Sequence, residues 1–166
     1  GKAGAKIRLV EFADFRCGHC RAAVAKVKQA LAHHGKSVEV FFVPFPLGSH
    51  PESLAAAEAS MAAHAQGKFW EMHDLLFEEQ ADGFTKPKLI AHAKSLNLNM
   101  KKFIKAIDTQ KYRNRIQSLR DAGLKAGVKG TPAFFVNGRR FDPAPALYTI
   151  NRRLDMELDR NQGKCQ

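Results

Sequence analysis

The chain has 166 residues, 45% of them hydrophobic, and a formal net charge of +11. That length suits one domain with room for an insertion, and the composition is that of a globular protein. No apolar run approaches the roughly 20 residues of a membrane-spanning helix, and three cysteines are too few for a disulfide-stapled scaffold.

Residues 1–6 read as a frayed lead-in, and residues 7–13 as a strand. Ile7, Leu9 and Glu11 share one face, with Arg8, Val10 and Phe12 on the other. The strand runs into Phe15-Arg16-Cys17-Gly18-His19-Cys20, after which Cys20, Val24, Val27 and Leu31 fall on one helical face. The helix is predicted over 18–34 and stops near Gly35. Val38 to Val43 is an apolar, β-rich run that reads as a second strand, buried in a sheet. Strand, helix, strand in this span is a βαβ unit, which implies parallel pairing and a right-handed crossover.

Pro44-Phe45-Pro46 ends the second strand. Ser49 to Glu52 fits a capping box with Pro51 early in the helix. Helical patterns then cover roughly 51–65, 68–80, 86–96, 100–108 and 111–126, with Thr85 and Asn99 as N-caps. Met100, Phe103, Ile104 and Ile107 form an amphipathic stripe. Phe69, Trp70 and Phe77 read as core of this helical stretch, and the histidines at 33, 34, 50, 64, 73 and 92 show no ligand pairing. Ala133 to Val136 is a short buried strand, and Asn137-Gly138 is a hairpin signal that returns Arg139 to Phe141 antiparallel. Pro143 and Pro145 open a last helix that buries Leu147, Ile150, Leu154 and Leu158. No internal repeat or low-complexity segment is present. The frame is therefore an α/β fold over 1–50 and 127–166, with a helical insertion over 51–126.

The chemistry concentrates at the cysteines. Their spacing at the start of a helix puts both sulfurs on one side, close enough for a disulfide. Cys17 lies where open backbone N–H groups and the helix dipole favour negative charge, so its thiolate, the nucleophile of disulfide exchange, is stabilised. Cys20, one turn in, is the more buried resolving thiol. His19 can donate to the Cys17 thiolate or place positive charge beside it. A zinc half-site is the competing reading, but no second Cys/His pair at finger spacing supplies four ligands, so no metal and no cofactor is expected. Glu11, on a buried strand face, should be held above the ordinary carboxylate range by desolvation. Asp14 reads as a turn or capping residue, and Cys165 stands alone.

The strand–CxxC–helix–strand order followed by Gly130-Thr131-Pro132 before a hairpin resembles the thioredoxin superfamily. The helical insertion narrows the likeness to DsbA-like thiol:disulfide oxidoreductases. Residues 10–20 and 130–138 carry it, with Pro44-Phe45-Pro46-Leu47 and Gln66-Gly67-Lys68-Phe69-Trp70. The dipeptide Gly18-His19 is similar instead to that of eukaryotic protein disulfide isomerase. The resemblance implies a DsbA-like thioredoxin fold with an inserted helical subdomain. It implies a Glu11 that relays a proton to or from Cys20. It implies a cis-proline at Pro132, with the Thr131 backbone pairing with an extended protein substrate.

The expected function is an oxidant of protein substrates carrying cysteines or disulfides. The expected setting is extracytoplasmic and periplasmic, with an unidentified partner recycling the site. A reductase or isomerase with the same site, and a redox-inert protein-binding module, are the alternatives. The basic surface attracts acidic partners, but Lys and Arg are spread through every segment and no basic run is interleaved with aromatics, so it reads as solubilising and no nucleic-acid partner is expected. The chain begins at Gly1 without a signal-peptide pattern, which reads as a mature or trimmed protein whose address, and any membrane anchor, is out of view.

Overall fold

The structure is a computed structural model that describes residues 1–141 and 147–162. In chain order its elements are strand β1 (Ile7–Ala13), helix α1 (Gly18–His34), strand β2 (Val38–Pro44), helices α2 (Glu52–His64), α3 (Phe69–Glu78), α4 (Lys86–Ser95), α5 (Met100–Asp108) and α6 (Arg113–Lys125), strands β3 (Ala133–Val136) and β4 (Arg139–Phe141), and helix α7 (Leu147–Asn161). A single 3-10 turn, Gln80–Asp82, follows α3. The contacts divide the chain into two compact units. One holds residues 1–13, 18–43 and those from 130 onward; the other holds 14–17 and 44–129.

The first unit is built on a mixed sheet of order β2-β1-β3-β4. β1 pairs antiparallel with β3, and β3 with β4, which leaves β2–β1 as the parallel pairing that a βαβ unit requires. The alternation of β1 puts Ile7, Leu9, Glu11 and Ala13 inside. Ile7, Leu9, Ala23, Val27, Ala30, Val38, Phe134, Val136, Ile150 and Leu154 form one core cluster, with Leu158 packed against it. The buried stripe of α1 is Cys20, Ala23, Val27, Ala30 and His34, not the predicted Cys20, Val24, Val27 and Leu31. The small Ala23 and Ala30 sit with Val27 in the core cluster, on a helix that packs against α7, while Leu31 packs against that cluster partly buried and Val24 is half-buried. β2 also departs from expectation. It is an edge strand, and Phe41 within it is 40% exposed.

The hairpin between β3 and β4 has φ of +48° at Asn137 and +78° at Gly138, the conformation of a type I′ turn. Asn137 does more than turn the chain. Its Oδ1 accepts the Arg8 N–H at 2.9 Å, its own N–H donates to Arg8 O at 3.0 Å, and its Nδ2 donates to the buried Glu157 of α7 at 3.3 Å. Arg153 and Arg160 each lie 3.0 Å from the same Glu157 carboxylate. The predicted opening of the last helix at Pro143 and Pro145, the Leu147 side chain, and Cys165 lie outside the described residues.

The second unit is helical. Its centre is α2, in which Ser53, Ala56, Ala57, Glu58, Ala59, Ser60, Ala62 and Ala63 are all buried. Small side chains on every face allow α3, α4, α5 and α6 to pack against it. Glu58 donates nothing and accepts the Tyr112 N–H at 3.1 Å; burial nevertheless pushes its carboxyl above the ordinary range. Asn99 caps α5 by accepting the Lys102 N–H at 3.0 Å. Thr85 stands at the start of α4 but makes no side-chain cap bond. The expected capping box is absent, because α2 begins later. Its N-cap is Pro51, which has no side-chain oxygen to offer. Trp70 is not core but 48% exposed, edge-on to Phe69 and His73, whereas Phe77 is buried.

Replacing Asn137 by alanine removes two side-chain bonds and leaves a Cβ residue at positive φ. We expect a loss of roughly 1–3 kcal/mol of folding stability, measured by urea denaturation, with Gly substitution less costly than Ala.

Candidate active site

β1 stops where Asp14 makes a tight turn. The Asp14 carbonyl accepts the Cys17 N–H at 3.0 Å, closing a four-residue turn. Its side chain is 1% exposed, and donors reach both oxygens. Oδ1 accepts the Ser53 hydroxyl at 2.6 Å and the Arg16 N–H at 2.8 Å; Oδ2 accepts the Leu47 N–H at 2.6 Å. All three partners belong to the helical unit, as does Asp14 itself. A buried carboxylate is tolerated when it is hydrogen-bonded in this way.

Further bonds hold the same loop. Gln80, 7% exposed, donates its side-chain amide to Phe15 O at 2.7 Å and to Cys17 O at 3.1 Å. The Arg16 guanidinium donates to Gln80 O, pairs with Glu52 at 3.4 Å and lies over the Phe84 ring. Gly83, at φ +76°, leaves room for Glu52, since a side chain there would approach Glu52 Oε1 to 2.9 Å. Phe15 is buried against Phe77 and His73, with ring centroids 5.0 and 6.1 Å away.

Cys17 immediately precedes the first helical residue of α1, Gly18. It is 9% exposed, whereas Cys20, in the first turn, is fully buried. Gly18 and His19 between them are exposed. In the first unit, with Cys20, lies Glu11, 3% exposed, whose Oε1 has no hydrogen-bond partner among the described residues. Burial pushes its carboxyl up from 4.5 to about 8. Glu11 stands opposite Phe134 and Phe12 opposite Ala133. This register brings the start of β3, directly after Pro132, beside the C-terminal half of β1. The Thr131–Pro132 peptide is cis, and both residues are half-buried. Among the described residues no group of three or more His, Cys, Asp or Glu is placed to hold a metal ion, and no helix is long and apolar enough to cross a membrane.

With this arrangement in view, comparison with known proteins decides the family. Residues 1–156 match the thioredoxin family. The chain belongs to that family. Its thioredoxin fold, helical insertion included, is also that of solved DsbA-type proteins. Against the thiol-disulfide exchange protein alpha-DsbA2 of Wolbachia pipientis the TM-score is 0.82, at 22% identity over 94% of this chain and 84% of that one. Against BdbD of Bacillus subtilis it is 0.81, at 24% identity over 96% and 91%. Two relatives by sequence are Na(+)/H(+) antiporters. This thioredoxin-family chain is 40% identical to NhaA 3 of Salinispora tropica over 141 residues and 34% identical to NhaA of Herminiimonas arsenicoxydans over 155 residues. Those matches cover 84% and 93% of this chain but 21% and 24% of the antiporters, so the chain spans less than a quarter of their length.

Ser53, Arg16 and Gln80 were not singled out as site residues from sequence. Gln80 and Cys17 stand 63 positions apart, and no local pattern ties a glutamine after α3 to a cysteine before α1.

A carboxyl at about 8 in the fold and 4.5 in the unfolded chain makes the folded state bind the extra proton between those values. Stability from this group is therefore full below pH 4.5 and declines as pH rises toward 8, by at most about 1.4 kcal/mol per pH unit. Glu11→Gln should flatten that decline and be the more stable protein above neutrality, read by denaturant titration from pH 5 to 9.

Proposed function

We propose that the chain is a thiol:disulfide oxidoreductase that passes the Cys17–Cys20 disulfide to protein substrates. The observation that carries this reading is the pair itself: Cys17 at the mouth of α1 at 9% exposure, with Cys20 fully closed off one turn later. That asymmetry lets an outside thiol reach one sulfur only. The word for the Wolbachia structure, a thiol-disulfide exchange protein, supports the same chemistry here.

In the oxidising direction a substrate thiolate attacks Cys17 Sγ, and the Cys17–Cys20 bond breaks with its electron pair on Cys20 Sγ. The product is a substrate–Cys17 mixed disulfide. A second substrate thiolate attacks the substrate sulfur of that bond, and Cys17 leaves as thiolate. The substrate has lost two electrons to the dithiol. The open N–H groups of α1 favour Cys17 as a leaving thiolate, and an exposed His19 is placed in sequence to assist it. Glu11, largely protonated at neutral pH, gives a proton to Cys20 as it leaves and takes it back on reoxidation. The Thr131 backbone, fixed ahead of β3, pairs with the extended substrate segment.

The proposed division is a thioredoxin-fold domain over 1–50 and 127–166 and a helical insertion over 51–126; the two compact units follow it except at 14–17, 44–50 and 127–129, which group with the helices. Net disulfide formation requires an oxidising compartment, so the site of action is extracytoplasmic, with a redox partner that reoxidises the pair. The antiport activity named for the sequence relatives is not carried over.

Equilibration in glutathione buffers tests the direction. We expect a potential of roughly −120 to −200 mV, from that of DsbA to slightly below that of protein disulfide isomerase; a value near thioredoxin's would make the protein a reductase. Cys20→Ser should accumulate mixed disulfides at Cys17 that mass spectrometry maps, Cys17→Ser should not, and Cys165→Ser should exchange at the unaltered rate. Failure of the pair to exchange with glutathione at all would leave a redox-inert binding module.

A further inference from the structure

Gln80 stands in the turn after α3, outside every motif that pointed to the site, yet it meets the backbone of the attacking cysteine. Its side-chain nitrogen faces two carbonyl oxygens, Phe15 O at 2.7 Å and Cys17 O at 3.1 Å. Both neighbours are acceptors, so only the NH2 end of the amide fits, and both its hydrogens are used. Gln80 is itself held, because its own carbonyl accepts the Arg16 guanidinium and Arg16 is paired to Glu52. At 7% exposure there is little water to replace it.

We infer that Gln80 is a positioning residue for Cys17: by gripping the Cys17 carbonyl it fixes the first peptide plane of α1 and so aims the Gly18 N–H, the first open donor of the helix. The peptide unit is planar, so a carbonyl held at one edge sets the direction of the N–H at the other. The open donors of the first turn are what favours a thiolate at Cys17. The second bond, to Phe15 O, holds the chain two residues earlier, so the segment Phe15–Cys17 is clamped at both ends by one amide. The insertion therefore contributes to the reactivity of the cysteine as well as to the surface around it. This inference rests on reading Cys17 as the attacking thiol.

The test is the pH profile of alkylation of the reduced protein, mapped to Cys17 by mass spectrometry. It needs no turnover and no redox partner. Gln80→Met keeps volume and removes the donors; Gln80→Glu keeps length and turns a carboxylate toward two carbonyls. Loss of one net hydrogen bond corresponds to about a fivefold change in equilibrium. Gln80→Met should therefore lower the thiolate fraction on the acid side of the profile about fivefold, Gln80→Glu should lower it further, and the glutathione equilibrium should move toward the protein disulfide by the same factor. Ser53→Ala loses a buried bond to the same loop but touches no atom of Cys17. It should lower the melting temperature and leave the alkylation profile in place. In the unaltered protein the Gln80 side-chain NH2 resonances should titrate with Cys17, and in Cys17→Ser they should not; this arm decides the matter if the Gln80 variants do not fold. Profiles of the Gln80 variants that match the unaltered protein, or that move no further than Ser53→Ala, would overturn the inference, as would NH2 resonances blind to Cys17 ionisation. An alkylation shift in a protein that does not exchange with glutathione would instead uphold Gln80 and remove the proposed function.

Discussion

The position of the first cysteine depends on one buried carboxylate. Asp14 ends β1, turns the chain by accepting the Cys17 N–H on its carbonyl, and takes Ser53, Leu47 and Arg16 on its side chain. Burying a carboxylate without donors is costly, so this residue forces the turn and its helical neighbours to be formed together. Three residues earlier, Glu11 is buried to the same degree but its Oε1 has no donor among the described residues. The difference is useful. Asp14 is satisfied by its donors, whereas burial holds the Glu11 carboxyl at about 8, which suits the proton exchange proposed for it.

The sheet and the helical unit obtain their packing by different means. In the sheet unit, period-two alternation in β1 and the short all-buried β3 supply large apolar side chains. In the helical unit the central α2 is nearly all alanine and serine on its buried faces. The surrounding helices bring the bulk instead, with Met72, Leu76, Leu89, Phe103 and Ile116 buried. Small residues on the central helix leave room for the large side chains of the helices packed around it.

Elements marked by local chemistry were legible from the residues alone: β1 by its alternation, the α1 start by the cysteine pair, the hairpin by Asn137-Gly138, and the α5 cap by Asn99. The misreadings share a different origin. Whether β2 is central or at an edge depends on strand order, which the apolar run Val38–Val43 does not encode. Which stripe of α1 is most buried depends on its packing against α7 and the core cluster together, which places Ala23 and Ala30 inside and Leu31 and Val24 at the margin. Ser49 looked like a cap because its neighbours had the right types, but the helix starts after Pro51 and Ser53 is engaged by Asp14 across 39 positions. Contacts of that separation leave no periodic trace.

The chain passes from one compact unit to the other between Cys17 and Gly18, inside the motif itself. Asp14–Cys17 are held by Ser53, Leu47 and Gln80 of the helical unit, whereas Cys20 lies on the buried stripe of α1 in the sheet unit. In the proposed exchange the two thiols have opposite requirements. The attacking sulfur must be reachable and easily ionised, which a clamped backbone at an open helix end provides. The resolving sulfur must be shielded from outside thiols and supplied with a proton, which full burial in a unit that also buries Glu11 provides. If Gln80 acts as inferred, residues 44–129 bear on the reactivity of Cys17, while the burial of Cys20 belongs to the other unit.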